Sequence, residues 1–154
     1  MLLQINKKEL IDQFDLKGFS INVLSAKRTL VEKMLGVIKD SYDDAPSERL
    51  SLRIRHLYDI CLILKKEEYQ DFVRSDEFSS MCVLCIEDEK AGGFFYKECL
   101  ANPLSEAPLF LDFPNWRKSL ESTYKSNFSD LVYGELPSMD DIEASLTALH
   151  ECLS

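Results

Sequence analysis

Cys82 and Cys85 are separated by two residues, a spacing found in zinc sites and in redox-active dithiols. A structural zinc site needs a second pair of ligands, and the other three cysteines and two histidines form no further C-x-x-C or H-x-x-x-H motif. The pair also stands inside an apolar segment with helical spacing, whereas a redox pair normally opens a helix after a strand. We therefore interpret both as reduced core thiols and predict no metal ligand in this chain.

The histidines and the acidic triplet at 87–89 are the next candidates for chemistry. Neither His56 nor His150 is accompanied by a Ser or Cys nucleophile motif, so neither is predicted to act as a catalytic base. Consecutive helix positions point about 100° apart, so Glu87, Asp88 and Glu89 do not converge on one ion. We interpret the triplet as solvated charge and predict no catalytic residue.

Arg55 and Asp59 stand four residues apart, on the side of a predicted helix opposite its main apolar stripe. Apolar residues occur almost all round that helix, so we expect it to lie between two layers, with Arg55 and Asp59 partly buried and paired. One interpretation is a local ion pair that satisfies itself. The other is a guanidinium fork, held by Asp59, that binds an anion such as a nucleotide phosphate.

The elements that must position these residues are mostly helices. Apolar spacing predicts helices at 27–40, from Glu48 to about Lys66 after an N-cap at Ser47, from the N-cap Ser75 to about Glu89, and after a capping-box variant at 137–141. Alternating apolar residues predict one strand, Phe19–Ser25, which must pair with the 2–5 segment or with strands outside this chain.

These elements predict a mainly α fold with a small β element, that is, an α+β class. We expect a single domain over 1–154, in which 1–25 is a short β-containing segment and 26–154 is a helical bundle. Gly92-Gly93 and several prolines predict an irregular stretch at about 90–113.

The amino-acid composition restricts the classes of partner that the chain can bind. The chain of 154 residues has a formal charge of −9 and a pI near 4.7, which argues against non-specific nucleic-acid binding. Two basic runs stand out, one at Lys27, Arg28 and Lys33 and the other at Arg49, Arg53 and Arg55, and acidic residues among them favour small anions over a duplex. An odd number of cysteines and an early Lys7 argue against secretion and a membrane span, so we expect a cytoplasmic protein.

Two motifs resemble the nucleotidyltransferase toxins of the AbiEii/AbiGii type. The family pattern R-T-x-x-E-K is matched by Arg28, Thr29, Glu32 and Lys33, and R-H-x-Y-D is matched by Arg55, His56, Tyr58 and Asp59. The resemblance is good from Phe19 to Leu64. It is looser from Pro114 to Leu153, where Trp116, Tyr124, Phe128 and the 137–142 helix start resemble the family tail.

The resemblance implies the C-terminal helical bundle of a polymerase-β-like nucleotidyltransferase from a bacterial abortive-infection toxin–antitoxin system. It implies that Lys33 binds a nucleotide phosphate as a point charge and that Arg55, oriented by Asp59, binds as a fork, with Arg28, Glu32, His56 and Tyr58 in support. For a complete family member it also implies a nucleoside triphosphate and Mg²⁺; for this chain alone we predict no cofactor.

The sequence departs from the family at the metal motif. Family members carry a Gly-Ser turn followed by strand carboxylates, and this sequence contains no Gly-Ser dipeptide. We therefore expect a truncated or split gene product that is inactive alone, with its other half or a cognate antitoxin as partner. A second hypothesis is a stand-alone helical protein-interaction module that binds no nucleotide. An exposed edge of the predicted strand also suggests either an internal pairing or a homodimer through the N-terminal region.

Overall fold

A computed structural model describes Phe14, Val23 and residues 25–93 and 96–154, and these residues are mostly helical, with no strand among them. We number its α-helices α1 Ala26–Ser41, α2 Pro46–Leu52, α3 Ile54–Leu64, α4 Glu67–Val73, α5 Asp76–Gly92, α6 Pro108–Leu111, α7 Phe113–Thr123 and α8 Met139–Leu153. The predicted helical class is confirmed. The predicted strand Phe19–Ser25 and its partner segment 2–5 lie outside the described residues, apart from Val23 and Ser25.

Helix α1 is the enclosed helix of the fold. It begins where the Ser25 hydroxyl accepts a hydrogen bond from the backbone N–H of Arg28 at 3.1 Å, an N-cap that satisfies one free donor of the first turn. Every residue from 34 to 41 is buried, because α2, α3, α5 and α6 all pack against α1. Helix α3, the second half of the predicted helix after Glu48, also lies between neighbours, because it packs against both α1 and α8.

The predicted helix from Glu48 to about Lys66 is wrong in its continuity. It is two helices, α2 and α3, separated at Arg53, where the backbone leaves helical geometry (φ −104°, ψ 16°). The guanidinium of Arg53 bonds to the buried carboxylate of Asp40 at 2.7 Å, a tertiary contact that periodicity does not reveal. Helix α2 also begins one residue earlier than the predicted cap: Ala45 is its N-cap and Pro46 fits the first turn, so Ser47 is not the cap.

Helix α5 follows Ser75 as predicted and continues to Gly92. The Ser75 hydroxyl donates to the carbonyl of Phe72 at 2.6 Å instead of capping the helix. The helix ends at Gly93, whose φ of 72° lies in the region that glycine adopts without strain.

The predicted irregular stretch holds only short elements in its described part. The 3₁₀ turns Glu98–Ala101 and Leu104–Glu106 lead into α6. Helices α4 and α7 were not predicted, and α7 continues into a π-helical turn at Tyr124–Phe128.

The last predicted helix is confirmed as α8. Its capping box is complete: Ser138 Oγ accepts from the backbone of Asp141 at 3.1 Å, and the Asp141 carboxylate accepts from the backbone of Ser138 at 2.8 Å. Over the described ranges, no helix combines the length and the apolar character needed to cross a bilayer.

Candidate functional site

Asp59 is the residue through which the two motifs meet. Its Oδ2 lies 2.8 Å from Nζ of Lys33, which extends from α1, and 3.8 Å from Nε of Arg55, one turn earlier on α3. The packing of α3 on α1 brings the two motifs together, although they are far apart in sequence. The carboxylate is thus shared by two cations, and it lies much closer to Lys33.

Burial differs sharply across this trio. The side chains of Lys33 and Asp59 are 21% and 22% exposed, which makes their ion pair stronger than a fully solvated one. The Arg55 side chain is 79% exposed, so the prediction that Arg55 is partly buried is wrong. The same prediction for Asp59 is confirmed. Because Arg55 is held only loosely by Asp59, its guanidinium is available to a ligand.

His56 lies beside this trio and is electrically neutral at pH 7. Burial lowers the pKa of His56 to about 4, with further lowering by the charges of Lys33 and Arg53. Its Nδ1 is buried and has no hydrogen-bond partner within the described part of the chain. It faces Gly36, where an added Cβ would lie 3.5 Å from that nitrogen.

The other matched motif residues do not reach Asp59. Arg28 Nε donates to Glu32 at 2.8 Å and its terminal nitrogen donates to Asp88 at 2.7 Å, which ties α1 to α5 and raises the pKa of Arg28. Tyr58 packs its ring edge-on against Phe128, with centroids 5.2 Å apart. The structure thus places Arg28, Glu32 and Tyr58 in packing and ion-pair roles, away from the site at Asp59.

A cationic cavity adjoins the site, and we call it the arginine cavity. It has a volume of about 370 Å³ and is lined by Asp40, Arg49, Leu52, Arg53, Arg55 and His56. The second basic run of the sequence therefore does converge on one place. Lys33 is not among the lining residues, so Lys33 and Arg55 share a carboxylate but not this cavity.

The acidic triplet is not wholly solvated as predicted. Glu87 is exposed, but Asp88 accepts from Arg28, and both carboxylate oxygens of Glu89 accept from Lys39 Nζ at 2.7 Å. These contacts dock α5 on α1, because the positive charges of α1 face the end of α5.

The cysteine pair lies in the core, as predicted. Cys82 and Cys85 are both buried in α5, and burial raises the pKa of Cys85 and raises that of Cys82 to about 12. Thiols in this environment are poor nucleophiles. Within the described ranges, no three His, Cys, Asp or Glu side chains are grouped as a metal site would require.

The fold and the site define a helical protein whose cationic groups from two helices surround a shared carboxylate. Comparison with protein families identifies residues 3–148 with the nucleotidyl transferase AbiEii toxins of type IV toxin–antitoxin systems. The match covers nearly the whole sequence, and the chain belongs to this family. No curated protein and no solved structure gives a significant match.

Proposed function

We propose that this chain binds the phosphate groups of a nucleotide at Lys33 and Arg55, with Asp59 holding both cations in place. The single observation that carries the proposal is the shared carboxylate: Asp59 Oδ2 lies 2.8 Å from Lys33 Nζ and 3.8 Å from Arg55 Nε. Membership of a nucleotidyltransferase toxin family supports nucleotide as the ligand class.

The two cations suit different parts of the task. Lys33 is a compact charge fixed on a long, enclosed helix, so it supplies a defined position for one phosphate oxygen. Arg55 is exposed, and its planar fork can turn toward the ligand and donate two parallel hydrogen bonds. Binding at both positions would stabilise negative charge on adjacent phosphate oxygens.

A metal ion does not fit the described residues of the site. Asp59 and Asp40 are the carboxylates nearest the cations, and each is engaged by a lysine or an arginine. We assign no step to a metal ion here. We propose that the family's metal-binding carboxylates come from outside the described residues, on another segment or another polypeptide, and that the chain alone transfers no nucleotide.

The antitoxin of the same system is the proposed protein partner. The family functions in toxin–antitoxin systems, so a cognate antitoxin is expected to meet this chain in the cell. The alternative of a helical interaction module without nucleotide binding has no specific observation in its favour.

Titration calorimetry with nucleoside triphosphates tests the proposal on the full chain. Lys33→Ala and Arg55→Ala should each weaken binding about tenfold or more, the effect of losing one charge-assisted hydrogen bond. Arg74→Ala is the matched control, because Arg74 is an exposed arginine that follows α4 and lies outside the site. Equal affinities for all three variants and the unaltered chain would refute the proposal.

A nucleotidyl-transfer assay tests the proposal that the chain alone transfers no nucleotide. The chain incubated with labelled nucleoside triphosphate, Mg²⁺ and RNA or protein acceptors should give no labelled product. Labelling that Lys33→Ala abolishes would show that the chain is active alone.

A further inference from the structure

The arginine cavity gathers three guanidinium groups from two short helices. Arg49 lies on α2, Arg55 on α3, and Arg53 at the break between them, so the break turns what would be one helix into a concave wall. The cavity volume of about 370 Å³ lies within the usual range for small-molecule sites.

All three arginines contact their carboxylates through Nε. Arg53 Nε lies 2.7 Å from Asp40, Arg49 Nε lies 3.4 Å from Asp43, and Arg55 Nε lies 3.8 Å from Asp59. The terminal nitrogens of these groups donate no hydrogen bond to another residue within the described ranges. The three arginines that line the cavity therefore have terminal N–H₂ groups that can donate to a ligand accepting several hydrogen bonds.

The local charge is positive although the chain is acidic. Asp43 also lies 3.9 Å from Lys97, and Asp59 is paired with Lys33, so neither carboxylate belongs to its arginine alone. Among the residues that line the cavity, three arginines face one carboxylate, that of Asp40, within a chain of formal charge −9. A local excess of positive charge in a cleft attracts and retains an anion.

We infer that the arginine cavity binds a diphosphate unit, either the terminal phosphates of a nucleoside triphosphate or free inorganic pyrophosphate. This deepens the proposed function and rests on it for the nucleotide source. Three planar forks around one cleft match an anion with many acceptor oxygens better than a monoanion. Arg55 lines the cavity and adjoins Asp59, so the diphosphate would lie beside the phosphate held at Lys33.

The test is calorimetric titration of the full chain with inorganic pyrophosphate, at constant ionic strength and without divalent cations. Arg49→Gln removes a charge whose carboxylate contact is exposed, so the fold is expected to tolerate it. It should raise the Kd for pyrophosphate about tenfold or more, as should Arg55→Gln, whereas Arg74→Gln should leave it unchanged. Arg53→Lys keeps the charge opposite Asp40 but loses the fork, so it should also weaken binding.

Nucleotides distinguish the two sources of the diphosphate. Arg49→Gln should weaken binding of a nucleoside triphosphate but not of the matching monophosphate, whereas Lys33→Ala should weaken both. If Arg49→Gln weakens the binding of pyrophosphate but leaves the affinity for the triphosphate unchanged, the cavity is a site for free pyrophosphate.

The failures are also distinguishable. Absence of pyrophosphate binding by the unaltered chain, or an Arg49→Gln affinity equal to that of Arg74→Gln, overturns the inference. If Lys33→Ala still weakens nucleotide binding in that case, the proposed function stands without the diphosphate site. If neither Lys33→Ala nor Arg49→Gln changes any affinity, both are wrong.

Discussion

The side chain of Arg53 donates a hydrogen bond from Nε to Oδ2 of Asp40 at 2.7 Å, joining the break between α2 and α3 to the end of α1. The two groups differ in their surroundings: the Asp40 side chain is 5% exposed and that of Arg53 is 41% exposed. The partly exposed guanidinium therefore covers a buried carboxylate and neutralises its charge.

Removal of this guanidinium should destabilise the fold. Arg53→Ala leaves the Asp40 carboxylate buried without its ion pair, and we expect the free energy of unfolding to fall by roughly 2 to 3 kcal/mol. Arg49→Ala is the control, since its contact with Asp43 is longer and more exposed and should contribute less than about 1 kcal/mol. Urea denaturation of both variants measures the difference, and equal losses would contradict the assignment.

His56 should make stability depend on pH in the mildly acidic range. Burial, together with Lys33 and Arg53, lowers the pKa of His56 to about 4, against about 6.5 in an unfolded chain. Between these values the unfolded chain binds a proton that the folded chain does not. The stabilising contribution is therefore complete above about pH 6.5 and is lost as the pH falls, by up to about 1.4 kcal/mol per pH unit.

The matched pair His56→Gln and His150→Gln tests this contribution. Urea midpoints measured at pH 7 and pH 5 should differ less in His56→Gln than in His150→Gln, which alters the other histidine of the chain. The same pH dependence in both variants would show that His56 does not carry the effect.

The five cysteines should separate into two reactivity classes. Cys61, Cys82 and Cys85 are buried, whereas Cys99 and Cys152 are partly exposed. At pH 8, iodoacetamide should modify Cys99 and Cys152 in the native chain and reach the buried three only after unfolding. Peptide mass spectrometry gives the order of modification. Stoichiometric zinc in the purified chain would overturn the interpretation of Cys82 and Cys85 as unmetallated core thiols.

Alanine substitutions at the two adjacent glycines that end α5 should change the stability of the chain in opposite directions. Gly93 has a φ of 72°, so Gly93→Ala should destabilise the chain by about 1 to 2 kcal/mol. Gly92 is the last residue of α5, and Gly92→Ala should be neutral or stabilising by up to about 1 kcal/mol. An added Cβ meets no atom within 4 Å at either position, so backbone conformation alone separates them. Thermal unfolding that ranks them in the reverse order would contradict this account.

Local patterns in the sequence were sufficient to predict several features of the fold and of the candidate site. The spacing of apolar residues located α1, α5 and α8, and the capping box at Ser138 and Asp141 located the start of α8. The four-residue separation of Arg55 and Asp59 likewise placed both on one side of α3. These features depend on residues within a few positions of one another, which a single sequence displays directly.

Contacts between helices were not predictable in the same way. Asp59 lies closer to Lys33 than to Arg55, and Arg53 leaves the helix beside Asp40, because α1 packs on α3 and α2. The partners of Asp88 and Glu89 are on α1 for the same reason. Periodicity identifies which face of a helix is apolar, but not which helix will cover it.

The enclosure of α1 bears on how the chain folds during synthesis. Helix α1 packs in part against α6, which leaves the ribosome about 70 residues later. At the usual rate of about 5 to 20 residues per second, that interval is roughly 4 to 14 seconds. During it the apolar face of α1 lacks part of its cover, so newly made chains should engage holdase chaperones before they complete their core.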